Sequence, residues 1–238
     1  MRLLLVLLVL TSFSAHAQDC ASLLENAQPN VTFESIEQTI SSTVYSGEQS
    51  NIVDIYQVID ITGERIYQET TLPGMGDITL RFIDGAATMQ MAGMDMQMPV
   101  PPQLQSQLEQ SLSGAFDAQG MLPSNYDIVS CDGQQTYAGL VTGEQITVNT
   151  NLPEAAGGAT EMRFLFGEDG QLAGSLMDLP QLGQTLSVFE TYELNSDNVP
   201  TTIRFKMYQL GDTPELFTET SITTNSYNEE VDESLFSP

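Results

Sequence analysis

Five methionines crowd one short stretch of the chain: Met89, Met91, Met94, Met96 and Met98. Thioether side chains are flexible, soft and polarizable, so such a cluster has three uses. It can line a greasy cavity whose occupant has no fixed shape, such as an acyl chain. It can bind Cu(I), a soft ion that selects sulfur ligands. It can also simply fill a core. If Ala92 and Gly93 form the centre of a tight hairpin, Met91 lies opposite Met94 and Met89 opposite Met96, with Met98 next along that face. Gln90, Asp95 and Gln97 then point the other way.

Other chemistry is limited by what the chain lacks. Its one histidine is His16, and it has no tryptophan. Met1 and Arg2, the apolar run from Leu3 to Leu10 and the stretch Ser14, Ala15, His16, Ala17 read as a cleaved export signal over residues 1–17, with the mature chain starting near Gln18. That run is shorter than the roughly 20 residues a bilayer span requires. Loss of His16 removes imidazole-activated nucleophiles, histidine-based zinc sites and histidine acid–base catalysis. No enzymatic activity, catalytic residue, metal or cofactor is therefore expected. The segment Gly74 to Gly76 lacks the lysine and following helix of a phosphate loop, and no acidic run has EF-hand spacing.

Acidic side chains number 32 against six basic ones, a net charge of −26. Nucleic acid and anionic membrane surfaces would be repelled. Two cysteines, Cys20 and Cys131, in an exported chain are expected to form a disulfide, with acylation of Cys20 as the competing reading. A periplasmic or secreted location follows.

Two helical patterns open the mature chain. Asp19 can cap a helix through Leu23 and Leu24, and the spacing Phe33, Ile36, Ile40 places three apolar groups on one helical face. From Asn51 the period becomes two, with strands expected over 51–61, 65–71, 77–83 and 87–91. They are separated by Thr62-Gly63-Glu64, the Pro73–Gly76 cluster and Asp84-Gly85. Leu104, Leu108 and Leu112 then recur at helical spacing. Strands resume over 126–131, 136–141, 145–149, 162–166, 172–177, 185–194, 201–210 and 215–224, with turns expected at Asp132-Gly133, Thr142-Gly143-Glu144 and Asp169-Gly170. No linker interrupts them, so residues 18–238 are expected to form one domain. The fold class expected is α+β: a large, curved antiparallel sheet with two or three helices over one face. Ile78, Leu80 and Phe82 alternate with polar residues, as do Met162, Phe164 and Phe166 with their neighbours, so each strand presents one apolar row that needs a cover, a ligand or a packed core.

The order of these elements resembles the periplasmic lipoprotein-carrier (LolA-like) superfamily and its outer-membrane lipoprotein-sorting relatives. Three segments carry the likeness: Gly63 to Glu69, with Arg65 followed by an acidic residue; Phe82 to Gly85 leading into Met89–Pro99; and the closing Val231 to Phe236. The resemblance implies an unclosed β-barrel with helices as a lid over the concave face, and Arg65 as the lid contact. It implies a single lipid-binding domain whose cavity holds a lipid or a lipoprotein acyl chain, without catalysis. The lining expected is Ile78, Leu80, Phe82, Met89, Met91, Met94, Met96, Met98, Leu104, Leu108, Met162, Phe164 and Phe166. A monomer is expected, and release requires a lid movement or a partner such as a membrane-bound receptor. An extracytoplasmic Cu(I)-binding protein and a structural or interaction domain with a packed core are the alternative readings.

Overall fold

The computed structural model of the chain describes residues 20–47, 49–72, 76–91, 97–100, 105, 108, 112, 126–151, 159–179 and 183–237. A helix, α1, covers 20–27. The strands are β1 (Ser35–Ser46), β2 (Gln49–Asp60), β3 (Arg65–Leu72), β4 (Gly76–Ile83), β5 (Ala86–Met91), β6 (Gln97–Pro99), β7 (Tyr126–Tyr137), β8 (Val141–Asn151), β9 (Ala159–Phe166), β10 (Leu172–Leu179), β11 (Gly183–Leu194), β12 (Pro200–Gln209) and β13 (Glu215–Tyr227). A 3₁₀ turn, Glu233–Phe236, follows.

All the strands belong to one sheet in the order β6-β5-β4-β3-β2-β1-β13-β12-β11-β10-β9-β8-β7. Every pairing is antiparallel. The chain is thus two meanders joined through the β1–β13 pair, and the consecutive strands β6 and β7 stand at opposite edges. The sheet is open among the described residues.

Tight hairpins set the register. Asp84 and Gly85 between β4 and β5 both have positive φ, 52° and 75°, as do Ala138 and Gly139 between β7 and β8, at 53° and 69°. Two successive left-handed residues match the right-handed twist of the flanking strands, and glycine at the second position avoids a Cβ clash.

Several expectations are corrected. Among the described residues the fold is mostly β rather than α+β, and a lid of two or three helices is not seen. Phe33 to Ile40 does not form a helix: Ser35–Ser46 is strand β1. A spacing of four residues fits a period of two as well as one of 3.6, and the run Thr39 to Val44 is rich in β-branched residues, which favour strands, and in serine, which weakens a helix interior. The central segment is represented by Gln105, Leu108 and Leu112, each with helical backbone; Leu104 lies outside the described residues, as does the expected signal segment. Two expected turns lie inside strands. Gly133 sits at a register shift of β7 with φ 67°, and Gly143 is in β8, where a Cβ would lie 3.0 Å from the Phe166 carbonyl carbon. Those glycines serve a bulge and a close backbone approach instead.

The disulfide Cys20–Cys131 ties α1 to β7. Leu24 and Ala27 of α1 pack with Ile146, Val148, Phe164, Phe166, Leu172, Ile203 and Ile222 in the larger core. A second core gathers Ile36, Ile59, Ile66, Leu80, Phe82 and Ala87 beneath Val100 and Leu108.

Candidate functional site

Register partners define rows that run across the sheet. Ile36 faces Ile59, Ile59 faces Ile66, Ile66 faces Phe82 and Phe82 faces Ala87. Every member of this row is buried. Two residues along, the row is Gln38, Gln57, Gln68, Leu80 and Met89, continued by the register position of Met98. Two further along, it is Ile40, Ile55, Thr70, Ile78 and Met91, none of them fully buried. Ile40 also faces Ile222, Ile222 faces Ile203 and Ile203 faces Tyr192, so the same face continues into the second meander. We call it the inner face.

Cover decreases along this face. Val100 and Leu108 pack with the first row, whereas Ile40, Ile55, Ile78 and Met91 of the third row are only partly buried, Ile40 resting against the larger core. Burying such a row is worth roughly 25 cal/mol per Å², so a partly open one is a standing affinity for apolar matter.

Charge is sorted completely between the two faces of β1–β5. Glu37, Asp54, Asp60, Arg65, Glu69, Asp77 and Arg81 all occupy positions that alternate with the three inner rows. The inner positions from Ile36 to Val44, and those of β2 to β5 paired with them, carry no ionisable group. In a chain with 32 carboxylates this separation leaves the inner face of β1–β5 without charge.

The expected lining residues divide among three environments. Ile78, Met89 and Met91 are half-exposed on the inner face, while Leu80, Phe82 and Leu108 are buried in the second core. Met162, Phe164 and Phe166 share the inner face but are buried with α1 in the larger core, so their rings and thioether contact protein. Met94, Met96 and Leu104 lie outside the described residues, and for Met98 only the strand position is described. The hairpin register differs from expectation: Met89 faces Met98 and Gln90 faces Gln97, which makes the connection longer than a two-residue turn. Among the described residues no group of three histidine, cysteine or acidic side chains could hold a metal.

Arg65 lies on the other face. Its Nε donates to Asp60 Oδ2 at 3.0 Å and its Nη1 to Glu233 Oε2 at 2.7 Å. Gly63 makes room for this pairing, since a Cβ there would collide with Asp60 Oδ2. Burial works to raise the Asp60 pKa, but hydrogen bonds from Arg65, the Gly63 N–H and the Thr62 hydroxyl outweigh it and hold the carboxyl below its usual value. Val231, Leu235 and Phe236 cover Val58, Tyr67 and Ile83, and Arg81 Nε donates to the Leu235 carbonyl at 2.8 Å. The C-terminal segment is therefore a strap on the outer face. A small cleft beside it is lined by Glu37, Glu229, Glu230, Asp232 and Tyr56, whose phenol is pushed up to about 12 by burial and then by Glu37.

Ile40, Ile55 and the glutamine row Gln38, Gln57, Gln68 were not among the expected site residues. Period-two alternation in β1 and β2 contains them, but only the hairpin registers bring them side by side.

No protein-family description matches the chain, and no curated protein matches it. Among solved structures it is similar to a LolA superfamily protein from Nitrosomonas europaea, with 9% identity and a TM-score of 0.51, covering 92% of this chain and 97% of that one. It is also similar to a DUF1329 family protein from Desulfovibrio piger, with 11% identity, a TM-score of 0.48 and coverage of 94% and 97%. For the lipoprotein LppX of Mycobacterium tuberculosis the values are 12%, 0.31, 93% and 98%. The chain has a LolA-like fold.

Proposed function

We propose that the protein is an exported, non-catalytic carrier that holds an acyl chain, from a lipid or a lipoprotein, against the inner face of β1–β5. The observation that carries this reading is the sorting of charge: every ionisable side chain of the paired stretches of β1–β5 turns outward, leaving the half-exposed row Ile40, Ile55, Ile78 and Met91 neutral. Each methylene moved from water onto such a surface contributes roughly 0.8 kcal/mol, so a long chain is retained after the costs of association. A LolA-like fold and a disulfide suited to an oxidising compartment support the same reading. The carrier works by partition, and a membrane-bound receptor is the natural agent of release.

The direct test is native mass spectrometry of protein purified from its own source, followed by organic extraction. Near-stoichiometric acyl lipid is the expected result. A protein that emerges empty and takes up no fluorescently labelled acyl lipid, whether amide, alcohol or fatty acid, would overturn the proposal.

A further inference from the structure

The inner face of β1–β5 holds a buried polar atom that the sheet itself does not satisfy. Gln38 is 4% exposed, and its Nε2 donates to Gln57 Oε1 at 3.0 Å. Its Oε1 is buried and has no hydrogen-bond partner. A buried carbonyl left unpaired is costly, and native proteins satisfy nearly all of them. Gln57 and Gln68 stand in register beside it, and Gln68 Nε2 donates to Thr70 Oγ1 at 3.1 Å. The glutamine row lies between the covered row of Ile36 and the half-exposed row of Ile40.

We infer that Gln38 Oε1 is a specificity determinant, accepting a hydrogen bond from a neutral N–H or O–H at the head end of the bound acyl chain. The inference rests on the acyl-chain reading above. A chain laid along the Ile40 row with its head at the Ile40 end sets that head beside Gln38, two residues along β1, where a donor fills the vacant acceptor. An ester offers no donor there, and an ionised carboxylate would bring a charge and a second acceptor against Oε1 into a site without cations. The chemistry selected is thus an amide-linked or hydroxyl-bearing acyl lipid over an ester or a free fatty-acid anion. In outline this follows how sites built to hydrogen-bond a ligand group reject the analogue that lacks it.

The test compares isosteric probes by displacement of an environment-sensitive dye from the full mature chain. Lauric acid N-methylamide is set against methyl laurate, which replaces N–H by O, and dodecanol against undecyl methyl ether, its isomer without an O–H. Tighter binding of the amide by about tenfold over the ester, reduced to near parity in Gln38→Met, is the expected result. A preference in the alcohol pair alone assigns the donor as hydroxyl, and in the amide pair alone as N–H; either supports the inference when it is lost in Gln38→Met, and a preference that survives in folded Gln38→Met overturns it. Equal binding within both pairs in the unsubstituted protein overturns it, whether or not Gln38→Met folds, and leaves the acyl-chain reading intact. Failure of all four probes to displace the dye overturns the acyl-chain reading itself.

Discussion

The guanidinium carbon of Arg65 lies 4.5 Å from the centre of the Phe236 ring, joining the start of β3 to the last turn of the chain. The same guanidinium bridges Asp60 and Glu233, so this cation, together with Arg81 at the Leu235 carbonyl, fastens the C-terminal strap to the outer face of the sheet. Phe236 is buried beside Val58 and Tyr67. Truncating it should destabilise the protein by about 3 kcal/mol, because ring contacts and the cation–π stack are lost together. Urea unfolding of Phe236→Ala checks this, and an unchanged midpoint would show that the strap contributes nothing.

Asp60 makes this fastening sensitive to acid. Its folded-state pKa is lowered, so its contribution to stability is present above the unfolded value near 3.9 and is lost as pH falls through the folded value. Asp60→Asn should be less stable at pH 7 and should lose less on acidification below about pH 4 than the unsubstituted protein. Unfolding midpoints at pH 7 and in the acid range give both slopes, and parallel slopes would remove Asp60 from the account.

The Cys20–Cys131 bridge holds α1 over the larger core. Replacing both cysteines by alanine should cost about 2–5 kcal/mol. Thermal unfolding of the variant, with the unsubstituted protein in reductant as a second arm, reads the loss.

Face selectivity is tested by paired charge insertions. Ile78→Asp puts a carboxylate on the partly buried inner row and should weaken binding of a fluorescent acyl amide by more than tenfold, since a charge cannot be desolvated there cheaply. Thr79→Asp turns outward from the next position and should leave binding within about twofold. Equal effects of the two substitutions would dissolve the inner-face site.

Met89→Leu with Met91→Leu keeps volume and apolarity, so acyl binding should stay within a few-fold and stability within about 1.5 kcal/mol. A loss of binding with intact folding would mean that sulfur itself is needed, and a Cu(I) titration of the unsubstituted protein would then take precedence.

The sequence by itself determined the cysteine pair, the Asp84-Gly85 hairpin and most strand positions, because alternation and left-handed turn residues are local signals. It misassigned Ile36 and Ile40, whose four-residue spacing suits helix and strand alike, and it made turns of Gly133 and Gly143. It also treated Phe164 and Ile78 as equivalent lining, although one is sealed under α1 and the other half-open. Only the tertiary structure decided that β13 pairs with β1, that Gln38, Gln57 and Gln68 stand in one row and that Arg65 and the strap share the outer face. Alternation tells which residues of one strand share a face, but not which neighbouring strand lies beside it or what covers it. Those depend on registers and on elements distant in sequence, which no local pattern encodes.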